Sequence, residues 1–290
     1  MRTTKILPIA ALVLTAIFVP TAPGGAPMGP PLAWLGEGQW SIGAEYGYEN
    51  MDMEAFGTAT ETIPGQSDFT YAQPFTLDGF SSTMFFGTLE YGICDNWSLF
   101  GRVGAADAQD DLILHPATSD SEEDRFGYGG SFGVAWGVGT RATFCRWGAW
   151  RFGGVMQVTW FNPGDDSFTL GDAASPEGSI MGDANIDYWQ TQVGLAAVYQ
   201  MDAWSFWVGP FLQFTEGNLD LDGQFIIDGI ARGTVTASAD IEESSQLGGY
   251  FGANWEMSEH WNLRAEGQIT GDSWLVGVGV AFIPGQSVGK

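Results

Sequence analysis

Two histidines stand in this chain of 290 residues, His115 and His260. His115 follows Asp111 by four residues, in a stretch crowded with Asp107, Asp110, Asp120, Glu122, Glu123 and Asp124. An imidazole beside a carboxylate is the pairing used for acid–base catalysis. A working site also needs a nucleophile and a group that orients the base, and no second segment supplies them. His260 reads as a solvated imidazole in a short turn. The acids could in principle hold Ca²⁺. Neither this stretch nor the next acidic one (Asp165, Asp166, Asp172, Glu177 and Asp183) has the spaced Asp–Asn–Gly order of a calcium loop. Both read as solvated, mutually repelling surfaces. Cys94 and Cys145 have no histidines near them to complete a zinc shell. The sequence therefore predicts no enzyme, no cofactor and no metal.

A second set of charges lies inside segments of alternating polarity: Glu45, Glu90, Arg102, Arg151, Glu256, Arg264 and Glu266. Their placement depends on the alternation. From Phe126 to Arg141 one face reads Phe126, Tyr128, Gly130, Phe132, Val134, Trp136, Val138, Thr140. The other is mostly Gly, Ala and Ser and ends at Arg141. Residues 150–160 and 273–282 repeat the pattern. A period of two is the mark of strands with two unlike faces. Ten such runs are expected, at about 39–48, 82–92, 97–105, 126–141, 148–161, 186–200, 204–215, 245–256, 261–269 and 273–282. Short turns at 94–96, 144–146, 201–203 and 258–260 alternate with long polar stretches at about 49–81, 106–125, 162–185 and 216–244. The last of these carries its own alternation (Leu219, Leu221, Phe225, Ile227, then Thr234, Thr236), which suggests an extra outward hairpin.

The aromatic faces hold Trp, Tyr and Phe, whereas the opposite faces hold small residues. A ten-stranded lumen has little room for the former. A solvent face would carry Lys and Glu in place of the latter. The aromatic face is therefore expected to meet lipid and the small face a lumen. Strands of about 9–11 residues are long enough to cross a bilayer, and only a closed barrel leaves no unpaired edge there. Trp40, Trp97, Trp147, Trp204 and Trp261 stand near the starts of alternate strands, separated by 57, 50, 57 and 57 residues. That is the placement of an interfacial aromatic girdle. Trp160, Trp189 and Trp274 fall toward the other end, where a second girdle belongs.

Residues 1–22 run from a basic start (Arg2, Lys5) through an apolar stretch to small residues, the order of a secretory signal peptide. An irregular leader (23–38), a barrel (39–282) and a tail (283–290) follow. Export makes a Cys94–Cys145 disulfide the expected state of the two thiols. The formal net charge is −25, from 35 acids against 10 Lys and Arg. That excludes a nucleic-acid binder, which needs a basic patch.

The signal peptide, the alternating strands, segments such as 91–104 (YGICDNWSLFGRVG) and the closing strand 273–282 (SWLVGVGVAF) together resemble a bacterial outer-membrane β-barrel of the small-barrel type. That resemblance implies an all-β, antiparallel up-and-down transmembrane barrel. About ten strands are expected, with eight or twelve as alternatives. Short turns would face the periplasm, and long acidic loops would lie outside. It implies an outer-membrane location and outer-membrane lipid as the surrounding partner. In this class the last strand usually ends in an aromatic residue, and Phe282 matches. Strand charges facing lipid cost about 2–4 kcal/mol for Arg at midplane, so the seven are expected to face the lumen. There they either line a path or pair off and fill it. The first reading is a narrow passive channel for ions or small solutes, mildly cation-preferring because its mouth is acidic. The second is a non-conducting structural or surface-interaction barrel acting through its acidic loops. A continuous polar path favours the first; interlocked Glu–Arg pairs and aromatics favour the second.

Overall fold

The computed structural model describes residues 25–114, 124–171, 179–227, 229–242 and 246–284. Twelve strands are present among them. They are β1 (Trp40–Thr62), β2 (Phe69–Cys94), β3 (Trp97–Leu114), β4 (Asp124–Trp147), β5 (Trp150–Asn162) and β6 (Asp166–Gly171), then β7 (Ser179–Met201), β8 (Trp204–Ile227), β9 (Ile230–Glu242), β10 (Leu247–Glu256), β11 (Trp261–Ile269) and β12 (Ser273–Phe282). Every ladder between them is antiparallel. The first and last strands pair from Ile42↔Phe282 to Met51↔Ser273, which closes the sheet. The ring so formed runs β1–β2–β3–β4–β5–β7–β8–β10–β11–β12 and back to β1. Two further strands, β6 and β9, join the sheet only at its outer end, so the total exceeds the ten read from the sequence.

The strands are also much longer than expected. β1 has 23 residues and β2 has 26, so most of the stretch at 49–81 is strand, not loop. The stretch at 216–244 is the outer half of β8 plus β9, paired from Glu216↔Glu242 to Ile227↔Ile230. β9 pairs on its other side with β1, from Glu54↔Glu242 to Thr62↔Thr234. It occupies the place that β10, β11 and β12 hold lower down. β6 likewise pairs with β7 above the point where β5 leaves it. Its flank is tied to β4 through Gly164 N–H to Ser131 O at 2.9 Å and Gly129 N–H to Asp166 Oδ2 at 2.6 Å. The barrel therefore narrows outward.

One strand shows how sequence sets this geometry. Successive strand side chains point to opposite faces. On β8 the outward side chains run Phe206, Val208, Pro210, Leu212, Phe214 and then Glu216, Asn218, Asp220, Asp222. The inward ones run Trp207, Phe211, Gln213, Thr215 and then Leu219, Leu221. Val208 is 63% exposed while its neighbour Trp207 is 3% exposed. The wall is thus apolar outside along its inner half. Past Phe214 it becomes polar outside and apolar inside. β1 makes the same change between Tyr48 and Asn50, and β7 between Trp189 and Asp187. The change marks where an apolar outer band gives way to an extension with a polar outer face.

At the other end the turns are tight. The turn after β4 lies at Gly148–Ala149, not at 144–146, and Gly148 adopts a φ of 59° that suits glycine. Cys145 is consequently within β4, and Trp147 closes β4 instead of opening the next strand. Trp40, Trp97, Trp204 and Trp261 open β1, β3, β8 and β11. All five of these tryptophans are exposed.

Candidate functional site in the barrel lumen

The inner faces bring together charges that are far apart in sequence. Arg264 Nη2 is paired with Glu45 Oε1, and Arg102 Nη1 lies 3.7 Å from Glu45 Oε2. Arg141 donates to Glu90 Oε2 at 2.7 Å, and Ser98 Oγ donates to the other oxygen of Glu90 at 2.6 Å. Arg141 lies over the Phe100 ring at 4.0 Å, and Arg102 sits 5.3 Å from both Phe86 and Phe100. Buried guanidiniums persist only where carboxylates and hydrogen bonds compensate them. A glutamine layer completes the polar zone. Gln192 donates to Gln213 at 2.7 Å and to Gln268 at 2.8 Å, and Gln190 donates to Glu49 at 2.8 Å.

This polar zone encloses the leader. Residues 25–33 are buried, and the chain climbs from Gly36, near the short-turn rim, to Gly25 among the glutamines. Its main chain is held at each residue from Gly25 to Gly29. Glu266 accepts the N–H groups of Met28 (2.7 Å) and Gly29 (2.6 Å). Arg102 donates to Pro27 O at 2.9 Å and Arg141 to Met28 O at 2.8 Å. Gln157 and Gln268 donate to Ala26 O at 3.0 and 3.1 Å. Trp34 Nε1 donates to Glu90 at 3.0 Å. The small residues of the lumen face explain how a chain fits inside. A Cβ on Gly47 or Gly277 would stand 2.9 or 3.1 Å from the Pro27 ring. Other glycines make room for bulky neighbours: Gly139 for Phe100, Gly248 for Phe211, Gly252 for Trp207.

Above the leader the lumen is filled a second way. Met51, Met53, Phe75, Phe80, Met84, Phe161, Ile186, Tyr188, Leu219 and Ile241 form one buried apolar cluster that also includes Ala26. Phe161 and Tyr188 stack at 4.7 Å, and Phe80 meets Tyr188 edge-on at 5.4 Å. The interior is therefore filled at one level by the leader within its ring of ion pairs and glutamines, and above it by an apolar core.

Of the seven charges expected in the lumen, Glu45, Glu90, Arg102, Arg264 and Glu266 are there. Arg151 is half-buried at the short-turn rim, bonded to Gln200 at 2.5 Å. Glu256 is exposed at the end of β10, because the strand there has run out past the lumen. The sequence reading left out Arg141, the glutamines and the leader. Arg141 and Gln157 were visible on the small-residue face of their strands. The leader's one signal is that no charge occurs between Lys5 and Glu37.

The expected disulfide is not formed. Cys94 and Cys145 are free and exposed. They lie on β2 and β4 with β3 between them, and two strand spacings of about 4.8 Å each exceed the roughly 7 Å that a bridge allows. His115 and the acids Asp120, Glu122, Glu123, Asp172 and Glu177 fall outside the described residues. On the outer wall an open concavity of about 500 Å³ lies where the apolar outer band ends, lined by Trp136, Trp160 and Trp189 with Asp187, Glu216, Asp240 and Glu242. Trp136 and Trp160 stack there at 4.2 Å. At that level, on the far side of the ring, Trp274 lies 5.3 Å from Tyr48.

No family model and no curated protein matches the chain. Solved structures do. The outer membrane protein OprG from Pseudomonas aeruginosa is 12% identical with a TM-score of 0.41, over 86% of this chain and 96% of that one. The outer membrane protease OmpT from Escherichia coli is 7% identical with a TM-score of 0.42, over 84% and 94%. The translocator domain of the autotransporter NalP from Neisseria meningitidis is 10% identical with a TM-score of 0.38, over 94% of each. The resemblance is to bacterial outer-membrane β-barrels, and it is one of fold alone.

Proposed function

We propose that this protein is a bacterial outer-membrane β-barrel that is closed along its axis by its own leader and works through its outward, acidic extension. The observation that carries this is the continuity of the fill: the buried leader sits inside its ring of Glu–Arg pairs and glutamines, and the apolar cluster stands above it. Of the two readings open at the sequence level, interlocked charges and aromatics favour the non-conducting one. A narrow passive channel requires the leader to leave. Even then an apolar cluster stands above it. The lipid-facing band, with tryptophans at both of its edges, supports a membrane location. The acids of the extension, Asp220, Asp222 and Asp240 among them, face outward and draw cations to that surface. Outer-membrane lipid is the expected surrounding partner.

Planar-bilayer recording of the refolded full chain in KCl under a salt gradient tests this. The expected trace is flat, from a barrel shown to be folded and inserted. Stable steps with a cation-selective reversal potential overturn the closed reading and restore the narrow channel.

A further inference from the structure

The bonds that hold the leader are made to its main chain, and they come from strands all round the ring. That is how a binding site reads an extended peptide. At its centre is the run Ala26-Pro27-Met28-Gly29. Each position meets a complementary feature of the wall. Pro27 has no N–H to satisfy, and its carbonyl accepts from Arg102 while its ring rests between Gly47 and Gly277. The Met28 side chain is fully buried in a cluster with Phe100, Trp207 and Tyr250. Gly29 has a φ of 70°, and a Cβ there would stand 2.8 Å from Arg141 Nη2, so only glycine suits it. Glu266 takes the two consecutive N–H groups that follow the proline. The segment carries no charge.

We propose that the lumen is a receptor site for extended, uncharged peptides with a Pro–apolar–Gly core, and that the leader is its occupant in cis. The site rests on the leader-sealed lumen described above, but not on whether the barrel conducts. The tether through residues 36–39 holds the leader at high effective concentration. It contributes none of the recognition, so the same sequence binds without it.

The test keeps the whole chain. A protease recognition sequence is inserted at Glu37–Gly38, both exposed, and the refolded protein is cut there. A fluorescent synthetic peptide of residues 25–36 is then offered, either to the cut barrel or during its refolding, which covers slow exchange. Label is expected to be retained at one peptide per barrel. A G29A peptide, or a barrel carrying Glu266→Ala, is expected to bind about tenfold or more weakly, the factor that corresponds to one well-made interaction. The proposal is overturned if no label is retained by either route in a barrel that has lost its leader, or if the G29A peptide is retained equally well. Conductance of the uncut chain is measured separately, so failure of the receptor site and failure of the closed-barrel reading are told apart.

Discussion

The Glu266 carboxylate accepts the main-chain N–H of Met28 at 2.7 Å, across 238 residues of sequence. Its second oxygen holds Gly29 at 2.6 Å. These contacts tie the leader to β11, far from where the leader enters. Glu266→Ala leaves two buried N–H groups without an acceptor, at about 1–3 kcal/mol apiece. The expected outcome is a folded barrel whose leader is cut away by limited proteolysis while the wild-type leader is protected. Equal protection in the variant would show that the anchor lies elsewhere.

Arg141 and Glu90 form the shortest unshared ion pair of the lumen, at 2.7 Å, with both side chains buried. Arg141→Met leaves the Glu90 carboxylate with Ser98 and Trp34 but without a cation. Breaking one side of a buried pair costs about 3–5 kcal/mol. Replacing both residues by apolar ones of similar volume is expected to recover much of that. Urea unfolding of the two single variants and the double variant measures the coupling. Additive losses would mean that the pair acts as two separate polar contacts.

Two strand glycines, Gly252 on the lumen face and Gly87 on the exposed outer face, make a contrasting pair of predictions. A Cβ on Gly252 would run into the Trp207 indole, whereas one on Gly87 meets only Val103 O at 3.7 Å. Gly252→Val is expected to destabilise by about 1–3 kcal/mol through overpacking. Gly87→Ala is expected to stay within about 0.5 kcal/mol of the parent. Heat-modifiability on gels, read as the temperature at which the compact form is lost, ranks the two.

How much of this was readable in the sequence follows from which face carried the signal. Phe206, Val208, Leu212 and Phe214 made the lipid-facing half of β8 plain. Beyond Phe214 the outward residues turn acidic, so polarity argued for a loop. Yet Leu219 and Leu221 keep the period of two on the other face, and the strand continues. The extra hairpin suggested by those leucines is β8 with β9. What could not be read was the choice between pore and plug. Glu45, Glu90, Arg102, Arg264 and Glu266 are buried on the inner face, but their role depends on a leader with no periodicity. Its contacts are mostly side chain to main chain across 75 to 242 residues, and local pattern does not encode those. The glycine-rich faces were compatible either with open space or with room for bulky neighbours such as Trp207, Phe211 or Tyr250, and Pro27, Phe211 and Trp207 stand against them.

Tyr71 reports on the extension from the edge of the apolar cluster, against which it packs. It lies on the outer half of β2, half-buried, and donates to Glu61 Oε1 at 3.0 Å. Burial first, then the hydrogen bond and charge of Glu61, push its phenol up to about 12 from the ordinary 10. A phenol whose folded value is raised favours the native state fully below its unfolded value. That contribution is lost as pH climbs through the folded one. The extension should therefore loosen as pH rises from about 10 toward 12, and Tyr71→Phe should lose that part of the pH dependence. Near-ultraviolet difference titration of the native barrel is expected to show one phenol ionising late that is missing in the variant. If wild type and variant differ instead by a phenol that ionises at the ordinary value, then Tyr71 is open to water and β1 and β2 are not packed there as described.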